Sequence, residues 1–413
     1  MNVCALVGIV IGALVVAVLA ALILSPDQGP PTPDPSAAER VIDDRFTPDE
    51  LSRAESYRHK GRLIAIASLF VQFGTLAFLA FWRGGPARRL LTRLDRHPLR
   101  GALIAGAGIT VLLSLVGLPL DLAAWQLGRD HGLVTQPLGP RLVDWLLATL
   151  VAVIPAAIGA LAAMAMWRRL KGKFWIGAGL LVAVWAVTTT WLWPVVVSPL
   201  FNDFEPLPAG PARAEVIRLA DRAGVEVGEV YEVDASRRSS TLNAYVNGIG
   251  SSKRVVIYDN ATRELSPSEF SALVAHELGH VESGDMKRGL AFALLVIPLA
   301  VLFVQISSGA ILRRNADDAQ GPAVIFVLAL VVTVAMFVLQ VPGNALSRNI
   351  ESKADRYALA LTGEPEGLVD LQVGLAKANL SDVDPPALWH FLFGTHPSAF
   401  DRIARAEGAR NEG

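Results

Sequence analysis

The 413-residue chain contains one cysteine, Cys4, so no intrachain disulfide can form and a disulfide-stapled fold is excluded. Cys4 lies at the start of the first apolar block instead of following it, an order that argues against a lipoprotein cleavage box and favours a buried thiol. Charge is also scarce. Asp, Glu, Lys and Arg make up 18% of the chain, against about a quarter in ordinary soluble proteins. The formal net charge of −1 leaves no basic excess with which to hold nucleic acid. Hydrocarbon takes the place of charge: 52% of the residues are hydrophobic and the mean hydropathy is +0.43.

A helix needs about 20 consecutive apolar residues to cross a bilayer. Seven stretches meet that need without an internal charge: Val3–Leu24, Leu63–Trp82, Gly101–Leu120, Trp145–Trp167, Phe174–Phe201, Gly289–Leu312 and Gly321–Leu346. Prolines such as Pro155, Pro194 and Pro298 are tolerated in such spans. Trp82, Trp145, Trp167, Trp175, Trp191 and Trp193 gather near block ends, as an interfacial belt requires. The first block has no basic n-region and no small-residue cleavage box, so it reads as a retained span and not a signal peptide. The expected fold is mainly α: a polytopic membrane protein of seven transmembrane helices carrying a small α+β domain.

Ser25–Pro35 is proline-rich and reads as an extended linker. Thr47-Pro48-Asp49-Glu50 is a capping box with Pro at the first helical position, opening a helix that continues into the second span. Two regions can fold in water, roughly 202–288 and 347–413. The first offers an amphipathic helix over Ala212–Ala223 and strands at Glu229–Val233 and Arg254–Tyr258, with Asn243–Gly248 between them. Ser266-Pro267-Ser268-Glu269 is a second capping box and opens the helix that carries the chemistry.

That helix reads FSALVAHELGHV over 270–281. Residues four apart share a helix face, so His276 and His280 can offer two imidazoles to one zinc ion. Glu277 can reach a water there as general base without being a ligand. Three protein ligands leave one position open in a catalytic zinc site. Chance is a poor explanation for this motif in a capped helix within the larger hydrophilic region.

The third ligand must come from elsewhere. The class that continues H-x-x-G-x-x-H is excluded, because Ser283 and Met286 occupy the corresponding positions. Downstream, Glu351 and Asp355 lie four apart in a helical stretch. Glu351 can ligate zinc while Asp355 hydrogen-bonds the far nitrogen of a zinc histidine. By spacing alone a solvated acidic face is an equal reading. Topology adds an independent condition: two spans separate His280 from Glu351, and two crossings return the chain to its starting side.

These residues resemble the CAAX prenyl protease 1 family of integral-membrane zinc metallopeptidases, relatives of HtpX. The resemblance rests on Asn243-Ala244-Tyr245, Lys253–Asp259, AHELGH at 275–280, Ser347–Asp355, and Thr395-His396-Pro397 with Arg402. It runs the length of the chain, and five spans before the motif favour the prenyl-protease branch over HtpX. It implies His276, His280 and Glu351 as ligands of one zinc per chain, Glu277 as base and Asp355 behind the ligands. It also implies that Asn243 and Ala244 line the substrate cleft and that His396 and Arg402 face the substrate carbonyl or terminal carboxylate. The implied organisation is a five-span membrane domain over 1–205 and a zincin-like peptidase domain over 206–413 enclosing the spans 289–312 and 321–346. The implied fold is a ring of seven helices around a chamber. One departure touches the neighbourhood of the zinc: eukaryotic members often follow the motif with Gly-His, whereas Gly284 here precedes Asp285. His59, His97, His131 and His390 belong to no motif and read as surface or packing residues.

Sidedness is contested. Six arginines in 83–100 and four basic residues in 168–173 put those loops in the cytoplasm by the positive-inside rule, with the zinc domain opposite. The resemblance implies a site open to the cytosol. The expected protein is a monomeric, multi-pass cell-membrane endopeptidase acting on membrane-associated, prenylated or otherwise lipidated, chains. The alternative is an HtpX-like quality-control protease. An intact Glu277 argues against an idle zinc scaffold, and charge-free spans argue against a transporter.

Overall fold

The computed structural model describes residues 3–27, 29, 31–82, 93–247, 254–313 and 321–412. Arg83, Arg88 and Arg89 of the basic loop, Gly248 and Lys253 lie outside the described residues, as does the side chain of Cys4.

The chain begins with α1 (Val3–Leu24), α2 (Pro35–Arg45) and α3 (Pro48–Phe81). Helix α2 was not expected. Asp34 caps it by accepting from the Ala37 amide at 3.0 Å, and Pro35, the last residue of the expected linker, opens it ahead of the capping box at Thr47. Helix α3 starts on the predicted capping box, with Thr47 and Glu50 exchanging both bonds. Its 34 residues give ~51 Å of helix, well beyond the roughly 30 Å hydrocarbon core. The surplus is its polar first third, which reaches into the hydrophilic domain.

Next come α4 (Pro98–Asp130), α5 (Leu138–Leu170) and α6 (Phe174–Leu192), the last running into a short π-helical turn over Trp193–Val197 at Pro194. Lys171 takes a left-handed backbone, φ 46°, and ends α5. The chain folds back there, because Met166 lies against Gly177 and the Trp167 and Phe174 rings meet at 5.2 Å. Gly106 of α4 lies against α5 so closely that an added Cβ would sit 2.6 Å from the Ala156 carbonyl oxygen.

The small sheet has order β1-β2-β4-β3, from β1 (Phe204–Pro206), β2 (Glu229–Val233), β3 (Ala244–Asn247) and β4 (Arg254–Tyr258). Strands β2 and β4 are parallel and the other pairs antiparallel, so β3 is an edge. Helix α7 (Pro211–Ala223) precedes β2, and α8 (Asp259–Glu264) follows β4. Then come α9 (Pro267–Ser283), α10 (Asp285–Arg313), α11 (Ala323–Thr362), α12 (Pro365–Ala378), α13 (Ala387–Phe393) and α14 (Ala399–Glu412). The core of this domain joins Val255 and Ile257 of the sheet to Leu273, Val274 and Leu278 of α9, Leu219 of α7, and Leu368 and Leu371 of α12.

By length and composition, among the described residues, five helical stretches can cross a membrane: Pro48–Phe81, Pro98–Asp130, Leu138–Leu200, Asp285–Arg313 and Ala323–Thr362. The third contains both α5 and α6, and the apolar Gly8–Leu24 is shorter. Helix α1 packs Ala17 and Ala20 on Val296 of α10. The expected span at Gly321–Leu346 and the helix around Glu351 prove to be one element, α11, of 40 residues. Pro342 sits inside it without ending it, as neighbouring helices allow in apolar surroundings.

Gly106→Val should destabilise the α4–α5 contact by about 1–3 kcal/mol or more through overpacking. A matching drop in thermal unfolding temperature in detergent would check this, against little change for Gly108→Val, whose Cβ meets open space.

Candidate metal centre

Helix α9 is buried from Phe270 to Gly279 apart from Ser271, so the HELGH run lies inside the domain. Gly279 sets its distance from α11. A Cβ there would meet Ala354 Cα at 3.2 Å and Tyr357 Cβ at 3.1 Å. Without that side chain the two helices come close enough for Glu351 to reach both histidines. At the other end Gly284, at φ +66°, caps α9 and lets α10 begin at once with Asp285.

His276 Nε2 is 3.3 Å from His280 Nε2 and 3.3 Å from Glu351 Oε2, and His280 Nε2 is 3.7 Å from Glu351 Oε1. Ligand atoms on a tetrahedral zinc with bonds near 2.0–2.1 Å stand about 3.3–3.4 Å apart. Glu351 Oε2 is buried without a hydrogen-bond partner, as a ligand oxygen awaiting a cation would be. Two imidazoles and one carboxylate are a zinc donor set, and the residues therefore fit the metal.

Both rings are oriented from behind. His276 Nδ1 lies 2.9 Å from Asp355 Oδ1, and His280 Nδ1 lies 3.0 Å from Asp285 Oδ2. An Nδ1–H donated to each carboxylate leaves each Nε2 lone pair facing the shared point. Asp355 is fully buried and receives Arg402 Nε at 2.9 Å and Arg402 Nη2 at 2.5 Å. Asp285 lies 3.5 Å from Arg288 Nε, and Arg288 donates to the Leu24 carbonyl at the end of α1. As a proton site His276 is opposed by its burial but upheld by Asp355 and Glu351, which carry it up to about 10. A cation taking that place must displace the proton.

Glu277 is buried, and burial raises its proton affinity above the ordinary value against the opposing charges of His276 and His280. It shares a cavity of about 640 Å³ with His280, Glu351, Tyr245, Val246 and Leu290. His396 stands at the rim, its Nε2 3.3 Å from Glu351 Oε1 and its side chain 59% exposed. Arg402 is brought to the site but spent on Asp355. Asn243 is exposed and bonds the Ala244 amide, while Ala244 is buried in the core, and neither lines the cavity. The next two residues of β3, Tyr245 and Val246, do. Burial pushes the Tyr245 hydroxyl up to about 12, so it stays a donor. Asp285 was not among the sequence candidates. Its only signal was its place one residue beyond a helix-ending glycine, and an acidic residue there reads as an ordinary helix start.

Comparison with known proteins agrees with this geometry. The model for peptidase family M48 matches residues 206–410, and a model described as CAAX prenyl protease N-terminal, five membrane helices, matches 35–203. The chain is similar to an uncharacterized metalloprotease, YhfN, of Bacillus subtilis, at 33% identity over 73% of this chain and 72% of that one. It is similar to a CAAX prenyl protease 1 homolog of Arabidopsis thaliana, at 27% identity over 85% and 83%. Its fold matches the crystal structure of S. mikatae Ste24p with a TM-score of 0.77 and 20% identity, over 97% of each chain. The chain belongs to peptidase family M48 and is an integral-membrane metallopeptidase.

Asp285→Ala should weaken metal retention about 10–100-fold, with Asp285→Asn losing less. Competition with a chelator checks it, and retention should fall as pH is lowered because protons compete for His276.

Proposed function

We propose that the chain is a zinc metalloendopeptidase of the gluzincin type, binding one zinc ion and cutting membrane-associated, prenylated or otherwise lipidated, peptides and proteins. The observation that carries this reading is the convergence of His276, His280 and Glu351 ligand atoms within 4.8 Å of one another, with buried Glu277 on the wall of the same cavity. A zincin-like domain over 206–413 and a membrane domain over 1–205 fit the position of the small sheet. Seven crossings fit the fold-back at Lys171 and the packing of α1 on α10. Monomeric action is consistent with a site built within one chain.

Bound there, zinc would acidify a water and polarise a peptide carbonyl. Glu277 would take the water's proton and return it to the departing amine. Its burial makes it a stronger base and fixes it against the cavity. Asp355 and Asp285 hold the two imidazoles, and Arg402 acts through Asp355 as a positioning residue. His396 at the rim and Tyr245 in the cavity are donors available to the carbonyl oxygen as negative charge grows on it. The free edge of β3 offers backbone groups to an extended substrate, which would put Asn243 and Ala244 in a supporting role. The site lies where α10 enters its apolar run, so chains that reach or enter the bilayer are favoured.

Glu277→Gln should retain zinc and lose proteolysis about a hundredfold or more. Undiminished cleavage would sink the mechanism. Burial raises the proton affinity of Glu277 and a bound dication would oppose that rise, so activity is expected to fall on the acid side as Glu277 takes up a proton, and kcat/KM followed against pH checks for that limb. Faster cleavage of prenylated peptides than of unfolded membrane proteins separates the lead reading from HtpX-like quality control.

A further inference from the structure

A second cavity of about 640 Å³ borders the site from the His396 side. Its walls come from α3, α12, α13 and the segment leading to α14, and include Arg58, Arg62, Gln372, Trp389, His396 and Arg402. The volume is that of a ligand pocket. The sequence motifs account for two of these residues, His396 and Arg402, and leave the rest without a role.

The charges here are already committed. Arg62 pairs with Asp382 at 2.6 Å, Arg402 with Asp355, and Arg58 donates to the Leu380 and Asn379 carbonyls at 2.7 Å. Nothing in that arrangement calls for an anion. Gln372 differs. It is 3% exposed, its Nε2 is buried with no hydrogen-bond partner among the described residues, and rotation about its soft terminal torsion presents that amide to the cavity it lines. A primary amide donor left unpaired in a buried wall is destabilising and is relieved by a neutral acceptor such as a carbonyl oxygen. Beside it Trp389 and Phe393 form an aromatic wall with ring centroids 4.4 Å apart.

From this we infer that the second cavity is a peptide-binding compartment. It takes the stretch of substrate that leaves the metal centre past His396, and Gln372 donates to a backbone carbonyl of that stretch while Trp389 and Phe393 hold an apolar side chain. The two cavities then act as one track. Substrate lies along the β3 edge in the first, passes Glu277, His280 and Glu351, and continues into the second. The inference rests on the peptidase reading, and the following experiment separates their failures.

In full-length protein carrying Cys4→Ala and Glu277→Gln, Ser381→Cys reports on the second cavity and Met286→Cys on the first. Alkylation of each is followed with increasing amounts of an S-farnesyl-Cys-Val-Ile-Ala peptide extended at its N-terminus. The expected result is slowed alkylation at both positions. Gln372→Met should raise the half-protecting concentration about tenfold without loss of zinc, the equivalent of one hydrogen bond. Gln372→Glu, an acceptor of the same reach, should do the same. Protection at Met286→Cys alone overturns this inference and leaves the peptidase standing. Protection at neither position overturns both this inference and the reading of prenylated peptides as substrates. Protection unchanged by both Gln372 variants overturns the role of the amide.

Discussion

The contact between α9 and α11 is the constraint on which the site depends. One helix carries two imidazoles and the other a carboxylate, and they must approach until those groups share a point. Gly279 permits that approach, because a side chain there would press on the backbone of Ala354. The approach must also survive two long apolar helices inserted between the partners. Helix α11 solves this by remaining unbroken for 40 residues, ~60 Å at helical rise, from the remote end of the membrane helices to the metal centre. Glu351 is thus fixed to a rigid rod, and the rod is packed along α3 and α10. The geometry of the metal centre and the membrane fold are a single mechanical object.

The same rigidity extends to the groups behind the ligands. An aspartate as deeply buried as Asp355 would be costly alone, since desolvating a charge outweighs most single contacts. Here Arg402 meets both of its oxygens and His276 one of them. The bidentate fork fixes the carboxylate as well as neutralising it. His280 is served differently, by an aspartate at the start of α10 that is tied through Arg288 to the end of α1. Each imidazole therefore reports on a different part of the molecule: His276 on the packing of α14, His280 on the junction of two apolar helices. A shift of those apolar helices would reach the metal through Asp285 before it reached Asp355.

Much of the architecture was legible because local signals and tertiary demands coincide. The capping boxes at Thr47 and Ser266 start α3 and α9 where expected, and the strands at Glu229–Val233 and Arg254–Tyr258 appear with those bounds. The count of two spans between His280 and Glu351 is compatible with their meeting, which the structure displays. Other features follow from long-range packing that leaves no local mark. Nothing local shows that the apolar run and the Glu351 helix are one element, but flanking helices hold α11 unbroken through Pro342. Helix α2 is marked by Asp34 and Pro35, but its place against α14 depends on the Asp34 amide donating to the Ala404 carbonyl. Asp285 acquires a role only when Gly284 turns the chain so that α10 starts beside His280.

The residues around His396 extend the argument from chemistry to selectivity. The segment from Asn379 to Pro397 is strapped to membrane helices by backbone contacts: Arg58 to Leu380 and Asn379, Asn344 to Leu392, Arg348 to Gly394. Because these bonds go to carbonyls, they fix the path of the strap without dictating its side chains. The strap is therefore free to vary the surface it presents while keeping His396 near Glu351. On the proposed reading, Glu277 and the ligands would act on the peptide bond, which is common to every substrate, while Trp389, Phe393 and Gln372, which line one cavity, would meet whatever flanks that bond. On that reading, a buried metal centre bordered by a strapped wall beside α3 would favour chains that approach from the bilayer.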